Sequence, residues 1–103
     1  GYTYLNVNTR PYTTTGMKSK SVTKNSIVLQ WNKNTSADGY SIEKYDGKKW
    51  VQVKRYTSNK STTYTIKSLK AGTTYKFRMR AYKTIGNVNE YSAYTYCNVT
   101  TAK

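Results

Sequence analysis

Leu69-Lys70-Ala71-Gly72-Thr73-Thr74-Tyr75-Lys76-Phe77-Arg78-Met79-Arg80-Ala81-Tyr82 is the stretch that decides the fold. It begins with a turn at Lys70-Ala71-Gly72, where glycine supplies the backbone freedom a reversal needs. From Tyr75 onward the residues alternate. Tyr75, Phe77, Met79 and Ala81 fall in one phase, and Lys76, Arg78, Arg80 and Tyr82 in the other. A period of two is the strand period, so the segment predicts a strand with one face on an apolar core and one cationic face outward.

The same grammar runs outward in both directions. Met17 to Thr23 reads as a polar first strand, and Ser26–Trp31 as a second with Ile27, Leu29 and Trp31 on one face. Tyr40 and Ile42 share one face of the third strand, with Ser41, Glu43 and Tyr45 on the other. Asp46-Gly47 signals a hairpin, because both residues tolerate positive φ. Trp50–Lys54 is the returning strand, and Trp50 is expected in the core because large aromatics are highly buried on average. Thr63–Ile66 is the fifth strand. After a loop at Ile85-Gly86-Asn87, the last strand puts Cys97 and Val99 in the apolar phase and Tyr94 and Tyr96 opposite. Seven short strands and no helical period predict an all-β, seven-stranded antiparallel sandwich.

Composition limits what such a fold can do. In 103 residues, 18 Lys and Arg face 4 Asp and Glu, a net charge of +14, and there is no His. Val, Leu, Ile and Phe number only 15, which with that charge would ordinarily suggest disorder. Twelve Tyr and two Trp offset the shortage, since each aromatic buries a large area with few rotatable bonds. The lone Cys97 allows no disulfide within the chain, and its apolar phase, with no His to activate it, predicts a core thiol rather than a nucleophile. The longest aliphatic run, Ile27-Val28-Leu29, is far too short to span a membrane. No charged-then-apolar leader opens these residues, so an export signal would lie upstream of them.

An internal repeat gives the chain its organisation. Residues 2–9 read YTYLNVNT and residues 94–101 read YTYCNVTT, with Tyr2/Tyr94, Thr3/Thr95, Tyr4/Tyr96, Asn6/Asn98, Val7/Val99 and Thr9/Thr101 identical at an offset of 92 residues. That offset is the length of one small sandwich repeat. Residues 1–10 therefore read as the last strand of a preceding repeat or as an extension. Residues 11–15, with the only Pro and a Thr run, read as a linker. Residues 16–103 form the domain.

From residue 16 to 101 the sequence resembles a fibronectin type III module. The family pattern has a Trp closing the second strand, here Trp31, and Gly-Tyr-x-aliphatic opening the third, here Gly39-Tyr40-Ser41-Ile42. Its Leu-x-Pro-Gly-Thr-x-Tyr corner is met by Leu69–Tyr75 except that Ala71 stands in place of Pro. The following Tyr-x-Phe-x-apolar-x-Ala is met by Tyr75, Phe77, Met79 and Ala81. The resemblance implies sheets ABE and CC′FG, structural roles for Trp31, Tyr40 and Leu69, and a tyrosine corner closed by the Tyr75 hydroxyl. Ala71 loses a pre-set φ in that corner. The richness in Lys, Thr, Asn and Tyr resembles modules of secreted and surface proteins of Gram-positive bacteria, where they stand in tandem between catalytic, carbohydrate-binding or anchoring domains. It implies an extracellular or cell-surface location. No Arg-Gly-Asp tripeptide occurs, so integrin binding is not carried over.

Catalysis has little to work with. Asp38, Asp46 and Glu90 are expected in loops and Glu43 on an outward strand face, with Asp38 and Asp46 at opposite ends of one strand, too far apart for a glycosidase pair. No metal-ligand spacing and no phosphate-cradling glycine loop occurs, so no enzyme activity, metal or cofactor is expected. The expected function is a non-catalytic spacer or interaction link between neighbouring domains of one chain. The alternative is a ligand face of Tyr45, Arg78, Arg80, Tyr82, Tyr94 and Tyr96, which would take a polysaccharide or an anionic cell-wall polymer. Against that face stands the intrinsic preference of Tyr and Thr for exposed strands. A charge of +14 also attracts nucleic acid, but no recognised motif supports that partner, and the bland reading of the charge is a solvated Lys-rich surface. The expected state is a monomer, with a strand-swapped dimer through residues 2–9 as the alternative.

Overall fold

The computed structural model describes residues 10–103. The duplicated strand at residues 2–9 lies outside them.

Eight strands form two antiparallel sheets: β1 (Lys18–Val22), β2 (Ile27–Gln30), β3 (Gly39–Tyr45), β4 (Trp50–Tyr56), β5 (Thr63–Ile66), β6 (Thr74–Ile85), β7 (Val88–Tyr91) and β8 (Thr95–Thr100). One sheet has the order β1-β2-β5. The other runs β4-β3-β6, with β7 and β8 both paired to the far edge of β6. These are the two expected sheets of a sandwich. The core between them is apolar and rich in rings: Ile27, Leu29, Tyr40, Ile42, Phe77, Met79 and Ala81 are fully buried, and Trp31 nearly so. Cys97 packs against this core from β8, half-buried. Burial pushes its thiol pKa up, and a hydrogen bond from the Ser19 backbone opposes that shift.

The expected seventh strand is divided. β7 leaves β6 through a two-residue turn with Gly86 at φ 63°, which suits the first central position of a tight hairpin. The ladder then stops at Ser92-Ala93-Tyr94 and resumes in β8. At the break Ser92 N–H donates to Ala81 O at 2.9 Å, and the Ser92 hydroxyl accepts the Ala81 N–H at 2.9 Å. A side chain thus stands in for the carbonyl that the missing ladder position would have offered.

Polar anchors fix both ends of the sandwich. Residues 11–15, read as a linker, lie along the β2–β3 loop. The Asn34 amide donates to Tyr12 O at 2.6 Å and to the Thr14 hydroxyl at 3.3 Å, and Asn32 N–H donates to Thr15 O at 2.9 Å. At the opposite pole Gly72 N–H donates to Ala102 O, Ala102 N–H to Thr23 O, and the Thr101 hydroxyl to Lys70 O at 2.6 Å. The Tyr75 hydroxyl accepts the Lys70 N–H at 2.8 Å, closing the corner. In the β3–β4 hairpin only Gly47 takes positive φ. Asp46 contributes differently from the sequence expectation: its Oδ1 accepts both Lys48 and Lys49 N–H at 2.8 Å, which holds its carboxyl below the usual range.

Candidate functional site

Strand register assembles the outer face of the five-stranded sheet. Residues directly opposite one another in a ladder share a face. Ser41 faces Arg55 on one side and Arg80 on the other, and Glu43 faces Gln52 and Arg78. Tyr45 faces Trp50, Arg78 faces Tyr96, and Tyr82 faces Tyr91. The outcome is rows of rings and cations across β4, β3, β6 and the β7–β8 edge.

Arg78 occupies the centre. Its Nε meets Glu43 Oε1 at 2.5 Å, and its guanidinium lies 4.5 Å from the Trp50 ring centroid and 3.9 Å from that of Tyr94. Burial pulls its pKa down, but hydrogen bonds to Glu43 and Tyr96 and the Glu43 charge outweigh that and raise it. The charge of Arg78 is therefore met within the protein, and the side chain works as a staple between strands.

Arg80 is placed differently. Its guanidinium lies 3.7 Å from the Tyr91 centroid and 4.8 Å from that of Tyr94. No carboxylate lies within ion-pair distance among the described residues, and its buried Nε has no acceptor. Beside it Tyr94 and Tyr96 have ring centroids 6.2 Å apart, Trp50 and Tyr96 5.9 Å, and Tyr45 and Trp50 5.3 Å. Tyr96 is 59% exposed. Lys76 sits 5.8 Å above the Tyr45 ring.

Two sequence expectations are corrected here. Tyr82 is on this face but only 4% exposed: Arg55 covers its ring at 4.4 Å, and its hydroxyl donates to Tyr56 O at 2.8 Å. A ligand cannot reach it. Gly39 makes that packing feasible, because a Cβ there would stand 2.0 Å from Tyr56 O and 2.6 Å from the Tyr82 hydroxyl. Trp50, expected in the core, is on the outer face, because hairpin register sets it opposite outward-facing Tyr45. Tyr45, Arg78, Arg80, Tyr94 and Tyr96 do come together, and Trp50 and Tyr91 join them. Turn length was the missing signal. A four-residue connection pairs Tyr45 with Trp50, and a two-residue one pairs Tyr82 with Tyr91.

Trp31 is buried with its Nε1 donating to Ser61 O at 3.1 Å, and Leu69 sits at the core margin. The Tyr40 hydroxyl accepts Asn34 N–H and donates to Asn59 O, both at 2.9 Å.

Among the described residues, no other cluster invites chemistry. Asp38 accepts Thr84 N–H at 2.8 Å and flanks β3 on the side opposite Asp46. A depression lined by Tyr45, Asp46, Lys70 and Tyr75 holds one carboxylate and no base-activated nucleophile. Among the described residues, no three His, Cys, Asp or Glu lie close enough to hold a metal ion.

The fibronectin type III domain profile matches residues 11–98. The chain is a fibronectin type III domain. Similar sequences occur in longer proteins. Exoglucanase B of Cellulomonas fimi is 33% identical over 85 residues, covering 82% of this chain and 8% of that protein. Chitinase A1 of Niallia circulans is 36% identical over 84 residues, 79% of this chain and 11% of that one. Chitinase Chi52 of Paenibacillus xylanexedens is 34% identical over 93 residues, 89% of this chain and 16% of the other. The chain thus spans a small fraction of each relative. Among solved structures, FN3tt superposes with a TM-score of 0.74 at 19% identity, over 89% of this chain and 95% of that one. Titin domains A168–A170 give 0.66 at 24%, over 90% and 32%. At those identities the likeness speaks for the fibronectin type III fold alone.

Proposed function

We propose that this fibronectin type III module is a non-catalytic link in a multi-domain extracellular protein that acts on polysaccharide, holding its neighbours at a set separation. One observation carries the reading: the chain comes in at the pole of the β2–β3 loop and leaves at the opposite pole beside the corner. It is hydrogen-bonded to the body of the sandwich at both ends. A tug on either terminus is therefore borne by the whole sandwich. The matches to an exoglucanase and two chitinases, each far longer than this chain, support the surroundings. On this reading residues 1–10 are the closing strand of a preceding repeat or an extension, residues 11–15 are a tethered joint, and the module works as a monomer. The test is replacement of the module in its full-length protein by a Gly/Ser linker of equal reach, scored by scattering. The expected result is a sharp interdomain distance in the native protein and a broad one after replacement. Equal breadth in both would overturn the reading.

A second reading has an observation of its own. Arg80, without a counter-charge among the described residues and on the same sheet face as exposed Tyr96, favours polysaccharide or cell-wall polyanion binding through the outer face.

A further inference from the structure

The outer face holds two arginines with opposite circumstances. Arg78 has a carboxylate, and Arg80 has none among the described residues. The remaining carboxylates are engaged or remote. Asp38 accepts Thr84 N–H, Asp46 closes the β3–β4 turn, and Glu90 faces Lys83. Among the described residues, then, no carboxylate pairs with Arg80 and its Nε has no acceptor, while its guanidinium packs against the rings of Tyr91 and Tyr94. A guanidinium donates its hydrogen bonds from its edge, in the fork geometry that matches a carboxylate or a phosphate. Arg80 keeps partial exposure, and Tyr96, opposite Arg78 and two residues beyond Tyr94 on the same strand face, is 59% exposed. A ring face next to a fixed cationic fork suits a sugar that carries an anionic group.

We propose that Arg80, packed against Tyr91 and Tyr94, is the anion-receiving group of a glycan-binding site whose sugar platform is Tyr96. This rests on the second reading of the face and deepens it: the ligand is a sugar-based polymer bearing carboxylate or phosphate groups. A single fork reads one anionic group at a time. Nucleic acid binding instead gathers its affinity from many phosphate contacts and falls steeply with salt. Fixed geometry also makes the site depend on arginine as such. A lysine there keeps the charge and loses the stacked fork.

The experiment titrates the protein with polygalacturonate, poly(glycerol phosphate), neutral xylan and single-stranded DNA, at roughly 0.1 M and 0.5 M salt, where exposed attraction is increasingly screened. Arg80→Lys, Arg80→Gln, Tyr96→Ala and the distant Lys60→Gln are compared, with thermal melts confirming that each folds. The expected result is saturable binding of one of the two anionic polymers at both salts. Arg80→Lys, Arg80→Gln and Tyr96→Ala each weaken it about tenfold or more, and Lys60→Gln leaves it unchanged. The polymer that binds tells carboxylate from phosphate. Arg80→Lys binding like the native protein, while Tyr96→Ala does not, would overturn the role of Arg80 and leave the face a binding surface. Loss of all binding at the higher salt, an equal loss with Lys60→Gln, or a preference for DNA would overturn both.

Discussion

The Tyr75 hydroxyl accepts one hydrogen bond, from Lys70 N–H at 2.8 Å, at a corner open to solvent. An exposed N–H that loses this partner can turn to water, so the cost falls in the ordinary range for a single bond. Tyr75→Phe should lower stability by about 0.5–1.5 kcal/mol in denaturant melts. No loss would mean that the ring, packed 6.5 Å from Phe77, carries the corner without its hydroxyl. Cys97 makes a second prediction at this scale. Its folded pKa lies above the unfolded value of about 8.5, so the fold prefers the neutral thiol. The contribution to stability is complete below the unfolded value and is lost as pH rises through the folded one. Alkylation of Cys97 at about pH 8.5 should accordingly be much slower in the native protein than in denaturant, and equal rates would contradict a half-buried thiol.

Ser92 decides how the last strand is built. The Ala81 N–H it receives is buried in the middle of the long strand β6. Ser92→Ala removes the acceptor and leaves that donor unpaired, which costs about 1–3 kcal/mol. Hydrogen exchange should show the Ala81 amide losing protection first. Retained protection would mean that the ladder closes over the break. The same elements show what the sequence made legible. β5 matches its expected span, and the alternation of β6 places Phe77, Met79 and Ala81 inward as read, because period two is a local property. Trp50 was misplaced because its face depends on register across the Asp46–Lys49 turn, which is a relation between strands. Tyr82 lies on the face its phase assigns, yet is buried by Arg55 from β4 and admitted by Gly39 from β3. The break at Ser92 had no signal in the alternation, since the residues on either side keep strand chemistry. Asp46 was identified as a turn residue for its tolerance of φ, whereas it acts through its carboxylate.

At the scale of the molecule, a net charge of +14 and a core poor in aliphatic residues are reconciled by rings. Trp31, Tyr40 and Phe77 share the interior with Ile27, Leu29, Ile42, Ile66, Leu69 and Val99, and on the outer face Tyr and Trp rings hold arginines by stacking, each such contact worth roughly 0.5–1 kcal/mol at exposed sites. That leaves a body hydrogen-bonded at both ends of the sandwich, with stacked rings and cations lining one sheet face. The measurement that tests this account most directly is the activity of the full-length protein on insoluble and soluble polysaccharide, before and after the module is replaced by a flexible linker of equal reach. A spacer predicts a slower rate on the insoluble polymer, an unchanged rate on soluble oligosaccharide, and no hydrolysis by the module alone. An unchanged rate on both, or hydrolysis by the module, would contradict it.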